Sequence, residues 1–184
     1  DDIYVATDAE DVAANVPEWG ASNAIMRPPR LSAQGVEVIE VFNYALEQLE
    51  ANNRYPDLLV TVDITHPFRP PGFLDDIIMH LVKNGHDTVI PVYPERRPSW
   101  IESAGELQRL NEATVRSERN PVHVGLFSLG TVMHPHVLRK QNRLAGDVGI
   151  YEIENPLAAI EIRERDDLRY WQKLRELPDI LDGK

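Results

Sequence analysis

Short apolar runs rich in branched side chains recur along this chain, and they constrain its fold more than any other feature. They are Ile3-Tyr4-Val5-Ala6, Leu58-Leu59-Val60-Thr61-Val62, Thr88-Val89-Ile90-Pro91-Val92, the stretch from Val122 to Phe127, and Val148-Gly149-Ile150-Tyr151. Runs of this length read as strands, and because they do not alternate with polar residues they predict strands covered on both faces. Helical periodicity lies between them. From about Gly35 to Asn52, Val38, Ile39, Phe42, Ala45, Leu46 and Leu49 recur every three or four residues, and Asn52-Asn53 closes the pattern. From about Phe73 to Asn84 the apolar positions are Leu74, Ile77, Ile78 and Leu81, with Gly85 placed to end the helix in a left-handed conformation. A third helix is predicted from Asp166 to Leu177, opening on acidic residues that suit the positive end of the helix dipole.

Strands alternating with helices of this length predict an α/β domain, a three-layer sandwich around a mostly parallel mixed sheet. The 184 residues, 42% hydrophobic and 27% charged, suit one globular domain, and the 14 prolines are dispersed through it as loop punctuation. The segment from Pro94 to Asn120 breaks the rhythm. It is rich in Arg and Glu, places Trp100 and Ile101 among polar neighbours, and reads as an excursion from the sheet. Trp100 there either marks a partner surface or folds back on its own loop.

Charge and composition exclude several functions. The net charge is -11 and the 19 Lys and Arg residues never form a run, so a nucleic-acid backbone finds no basic stripe. A nucleoside triphosphate remains compatible with an acidic chain if a few placed cations neutralise its phosphates. No cysteine is present, which rules out disulfides and thiolate chemistry and suits a reducing, cytoplasmic setting. No apolar stretch approaches the ~20 residues that span a bilayer.

Several segments, in order, resemble the acylneuraminate cytidylyltransferases, or CMP-sialic acid synthetases. Ile3-Tyr4-Val5-Ala6-Thr7-Asp8-Ala9-Glu10-Asp11-Val12-Ala13 is similar to that family's strand, Thr-Asp and following helix. Arg27-Pro28 with Leu31 resembles its Arg-Pro segment, and Thr65-His66-Pro67-Phe68-Arg69 its Thr-Ser-Pro-Leu/Phe-Arg turn. Near the C-terminus, Gly149-Ile150-Tyr151 precedes Glu161-Ile162-Arg163 and Asp166-Asp167-Leu168, similar to the family's Asp-Ile-Asp segment and trailing Asp-Leu. The resemblance covers nearly the whole chain.

It implies a nucleotide-diphospho-sugar transferase-like fold and a reaction in which a sugar hydroxyl attacks the α-phosphorus of CTP and pyrophosphate leaves. The expected partners are CTP, an acidic nonulosonic (sialic-type) sugar, Mg²⁺, and a second copy of the chain in a homodimer. The first match falls on the family's second strand, so the family's first strand and its Gly/Ser/Lys/Arg-rich nucleotide loop have no counterpart here. Two outcomes are expected for the gap: another strand fills it, or the strand order closes over it. The isolated chain is then either an enzyme or a non-catalytic relative that kept the fold for binding or assembly. A third reading is another nucleotidyltransferase on the same fold.

Site residues follow from the same matches. Arg27, Thr65 and His66 are expected to bind nucleotide, and Asp63 and Arg69 to serve catalysis, with supporting the turn as the alternative role for Arg69. Glu161 and Asp63 are the expected metal ligands. Two departures from the family stand out: Asp63 replaces a glutamine, and Arg163 replaces the second aspartate of the metal segment, where a cation repels a metal. Asp63 alternatively caps the turn at Thr65, and Glu161 with Arg163 are alternatively solvated residues at a strand end. Asp8 is placed to cap the helix that follows it. His134-Pro135-His136 suggests a metal pair, but Pro135 equally suits the first residue of a helix.

Overall fold

The computed structural model describes residues 2–112, 115–140 and 144–176. Nine strands occur among them: β1 (Tyr4–Thr7), β2 (Asn23–Met26), β3 (Leu59–Thr61), β4 (Thr88–Glu95), β5 (Trp100–Ser103), β6 (Glu106–Arg109), β7 (Val122–Gly125), β8 (Thr131–Met133) and β9 (Val148–Glu152). The α-helices are α1 (Glu10–Asn15), α2 (Val38–Ala51), α3 (Phe73–Asn84), α4 (Pro135–Arg139) and α5 (Arg165–Arg175). The described residues divide into two compact units. One is built from the chain up to Leu59 together with Met133–Gly146, the other from Val60–Val132 and the chain from Asp147 onward.

In the first unit β1 and β2 form a parallel two-stranded sheet, Tyr4 opposite Asn23 and Thr7 opposite Met26. Its apolar cluster brings Ile39 and Leu46 of α2 against Met133, Val137 and Leu138, with Phe42 and Leu59 beside them. Helix α2 begins at Val38, later than its periodicity suggests, because Gly35 is left-handed (φ 90°) and Glu37 is extended. Asp8 does not cap α1. Ala9 occupies that position without a side-chain cap, and the Thr7 hydroxyl accepts from the Ala9 N–H at 3.1 Å while Asp8 turns to Arg27. Pro135 is the first residue of α4, as its fixed φ favours. The rings of His134 and His136 stack at 5.7 Å, and no group of three or more candidate metal ligands exists among the described residues.

The second unit carries the larger sheet, in the order β3-β8-β4-β7, with β9 also paired to β4. It is mixed and mainly antiparallel, correcting the mostly parallel sheet that the sequence predicts. Strand β4 runs parallel to β9, with Val89 opposite Gly149, but antiparallel to β7, with Val92 opposite Gly125. Apolar runs report burial on both faces and carry no direction. The direction here is set by the excursion after β4, which holds the β5–β6 hairpin and returns the chain alongside β4 as β7. Helix α3 packs on β4 and β9, burying Phe73, Ile77 and Leu81 with Val89, Ile90 and Val92. It closes at Gly85, whose φ of 71° is the left-handed cap its sequence implies.

Among the described residues β1-β2 and β3-β8-β4-β7 form separate hydrogen-bonded sheets. All three residues of β3 are only half-buried, as befits a strand at the end of its sheet. The third helix expected from the sequence runs Arg165–Arg175; its expected end at Leu177 lies outside the described residues.

Candidate functional site

The turn after β3 is assembled by main-chain hydrogen bonds that fix its polar side chains. Asp63 N–H donates to Ser128 O at 2.9 Å, and Thr65 N–H donates to the Asp63 carboxylate at 3.3 Å. An aspartate that accepts from the amide two residues on makes an Asx turn, so Asp63 holds the turn at Thr65 and keeps its second carboxylate oxygen for other partners. Pro67 stiffens the chain, Phe68 is buried behind it, and Arg69 braces the loop from below. The Arg69 guanidinium donates from Nε to Leu129 O at 2.6 Å and from Nη2 to Asp63 O at 3.1 Å. These two bonds brace the turn, and burial lowers the Arg69 pKa, against the pull of Asp63.

The segment following a 3-10 turn at Pro156–Ala159 meets this turn. Ile162 N–H donates to Thr65 O at 2.8 Å, and the Thr65 hydroxyl donates to Glu161 Oε1 at 3.5 Å. Arg163 Nη2 lies 2.6 Å from the same Glu161 oxygen, which raises the guanidinium pKa further. His66, 4% exposed, sits behind Thr65 with Nδ1 3.4 Å from the Thr65 hydroxyl. Burial pushes its pKa down; Glu161 and Asp63 oppose that, while Arg69 and Arg163 reinforce it. The imidazole is accordingly held neutral at pH 7, with its proton available for a hydrogen bond.

The structure thus brings Asp63, Thr65, His66, Arg69 and Glu161 into one cluster in the second unit. Arg27 belongs to the first unit, where Nη2 pairs with Asp8 at 2.7 Å and its main-chain N–H donates to Thr7 O at 2.7 Å. Asp8 is held below the usual carboxylate range, first by a hydrogen bond from Ser32 and then by Arg27. The Arg27 Nε is buried without a hydrogen-bond partner among the described residues.

Two features of the site escape the sequence. Ile64, between Asp63 and Thr65, is 96% exposed and gives the rim an apolar edge; no periodicity marks a lone isoleucine in a turn. Beside the turn lies a cavity of about 360 Å³ lined by Pro70, Phe73, Tyr151, Glu152 and Asn155 among others, whose walls come from segments remote in sequence.

Magnesium requires oxygen ligands in near-octahedral geometry, supplied by one or two carboxylates together with waters or substrate oxygens. The donor set here does not fit it. Glu161 is already engaged by a guanidinium, one oxygen of Asp63 accepts from the Thr65 amide, and no cluster of three or more candidate ligands occurs among the described residues. Repulsion by Arg163 adds to the mismatch.

The fold is similar to that of a CTP-bound synthetase. Over 96% of this chain and 82% of the other, it superposes on CMP:2-keto-3-deoxy-manno-octonic acid synthetase complexed with CTP, with a TM-score of 0.65 and 14% identity. A second similarity, with a TM-score of 0.51 and 15% identity over 94% of this chain and 77% of the other, is to molybdopterin-guanine dinucleotide biosynthesis protein A from Archaeoglobus fulgidus. No protein-family model matches the chain, and no curated protein sequence does. At these identities the likeness establishes a shared α/β fold. No helix among the described residues is long and apolar enough to cross a membrane.

Proposed function

We propose that this chain is a sugar-nucleotide cytidylyltransferase, transferring CMP from CTP to an acidic keto-sugar of the nonulosonic (sialic) or octonic type. The observation that carries the reading is the hydrogen-bonded meeting of Thr65 with Glu161 and Ile162. The sequence resemblance identifies these two segments, separately, as the substrate turn and the acidic strand end of such an enzyme. The superposition on a CTP complex supports it.

In the reaction the sugar hydroxyl oxygen bonds to the α-phosphorus of CTP, the bond from that phosphorus to the β-phosphate bridging oxygen breaks, and pyrophosphate carries away the negative charge. In this reading the free oxygen of Asp63 accepts the hydroxyl proton, a role that needs a carboxylate within hydrogen-bond reach of the nucleophile. Thr65 and neutral His66 hold phosphate or ribose oxygens, and Arg69 keeps the turn in shape. Positive charge beside the leaving group stabilises the transition state.

A homodimer is part of the proposal. On the β5–β6 hairpin, Trp100 pairs across from Arg109 and Glu102 from Leu107, so these four side chains share one face. Trp100 and Leu107 are both exposed there, and a face carrying one glutamate and one arginine is self-complementary about a two-fold axis.

A second reading has its own observation. Arg69 and Arg163 are both already paired, Arg69 to main-chain carbonyls and Arg163 to Glu161, an arrangement that suits a non-catalytic binding module. Pyrophosphate release from CTP separates the two. The enzyme releases it only when N-acetylneuraminic acid or 2-keto-3-deoxy-manno-octonic acid is present; no release with either acid supports the binding module.

A further inference from the structure

Resting on the reading of this site as one that holds a phosphate anion, we infer that Arg163 takes the place of a divalent metal, its guanidinium being the positive charge that faces the anion beside Glu161.

The site is electrically complete without an ion. Asp63 and Glu161 supply two negative charges, Arg69 and Arg163 two positive ones, and the buried His66 between them feels all four. A divalent cation entering beside Glu161 would have to break the 2.6 Å ion pair and settle against a displaced guanidinium. Guanidinium, planar and always charged, suits phosphate as a bidentate donor, so the exchange of a metal for an arginine keeps the sign of the charge while changing the geometry of recognition.

Arg163 is also held where such a role needs it. Its main-chain N–H donates to Asp167 Oδ2 at 2.9 Å, and the Glu164 N–H donates to the same oxygen at 2.9 Å, in the capping box that opens α5. Those two bonds draw the Asp167 carboxyl below its usual range. The root of the side chain is thereby fixed while the side chain as a whole is 69% exposed, which leaves room for an anion at the guanidinium donors not used on Glu161. The guanidinium can bind an anion and keep its contact with Glu161.

Two measurements on the full chain test this. In the first, Mn²⁺ is titrated and the free ion followed by electron paramagnetic resonance. Wild type should bind no Mn²⁺ at Glu161, whereas Arg163→Asp, which sets a second carboxylate beside it, should bind the ion and lose it again when Glu161→Gln is added. In the second, inorganic pyrophosphate is titrated calorimetrically in EDTA. Wild type should bind it, Arg163→Ala should weaken binding about tenfold to a hundredfold, as expected for losing a charged hydrogen bond, and Arg163→Lys should retain part of the affinity. Glu161-dependent Mn²⁺ binding by wild type, failure of Arg163→Asp to gain the ion, or pyrophosphate binding that needs a metal or ignores Arg163→Ala would each overturn the inference. Metal-free pyrophosphate binding with no turnover of CTP would leave the inference standing and remove the proposed activity.

Discussion

Ile162 donates its main-chain N–H to the carbonyl of Thr65 at 2.8 Å, joining the turn after β3 to the segment before α5. The bond fixes where Glu161 and Arg163 lie, because the residues on either side of an anchored amide have little freedom left. Two carboxylates, two guanidiniums and a buried imidazole are gathered around it.

Arg69 should therefore matter more to stability than an ordinary surface arginine. Its two bonds go to main-chain carbonyls of a half-buried loop. Arg69→Ala should cost about 2–3 kcal/mol in unfolding free energy, since carbonyls left unpaired carry the desolvation penalty. Arg69→Lys should recover only part of this, because an ammonium does not reproduce the fork. Urea denaturation of the three proteins checks it.

His66 gives the stability a pH dependence of defined sign. Its folded pKa is lowered, with burial the leading cause, while the unfolded value stays near 6.5. Between those two values the unfolded chain binds the extra proton, so stability rises with pH there. The contribution is complete above about 6.5 and is lost progressively as the pH falls below it toward the folded value. Denaturant midpoints at pH 7.5 and 5.5 should differ more for wild type than for His66→Gln; equal differences would mean that His66 is not the titrating group.

Gly149 is needed by its neighbour and not by its own backbone. A Cβ at this position would run into the ring of His86, which is held by Asp147 at 2.6 Å and lies over β9. Gly149→Ala should destabilise by about 1–3 kcal/mol, the usual cost of overpacking. Combining it with His86→Ala should recover part of that loss, a non-additivity visible in thermal unfolding.

The exposed face of the β5–β6 hairpin should govern association. Leu107→Glu places a second acid beside Glu102 and removes apolar area, so sedimentation should show a dimer for wild type and a monomer for the variant. A monomeric wild type at concentrations of about 100 μM, where even weak specific interfaces with dissociation constants near 10 μM are occupied, would rule out this surface as the interface.

Much of the scaffold could be read from residues alone, and the exceptions have physical causes. Helix α3 was legible because Leu74, Ile77 and Leu81 repeat at helical spacing and Gly85 ends it. Strand β2 was not, since Asn23–Met26 buries only Ile25 and leaves no pattern. Strands β5 and β6 expose every residue, so no burial signal distinguishes them from loop. The site divides the same way. Thr65 and Glu161 were each marked by resemblance, and Arg163 stood out as a departure from it. That Arg163 answers Glu161, and that Arg69 donates to two main-chain carbonyls, depends on folding distances that no local sequence pattern encodes.

On the function proposed above, CTP binds where the Thr65 turn meets Glu161. Backbone amide resonances followed during CTP titration test it most directly, because each residue reports for itself. Thr65, His66, Ile162 and Arg163 should shift together along one saturation curve, and Arg163→Ala should weaken that curve without changing the remaining spectrum. Saturable shifts confined to other parts of the chain, with these amides unmoved, would contradict the account.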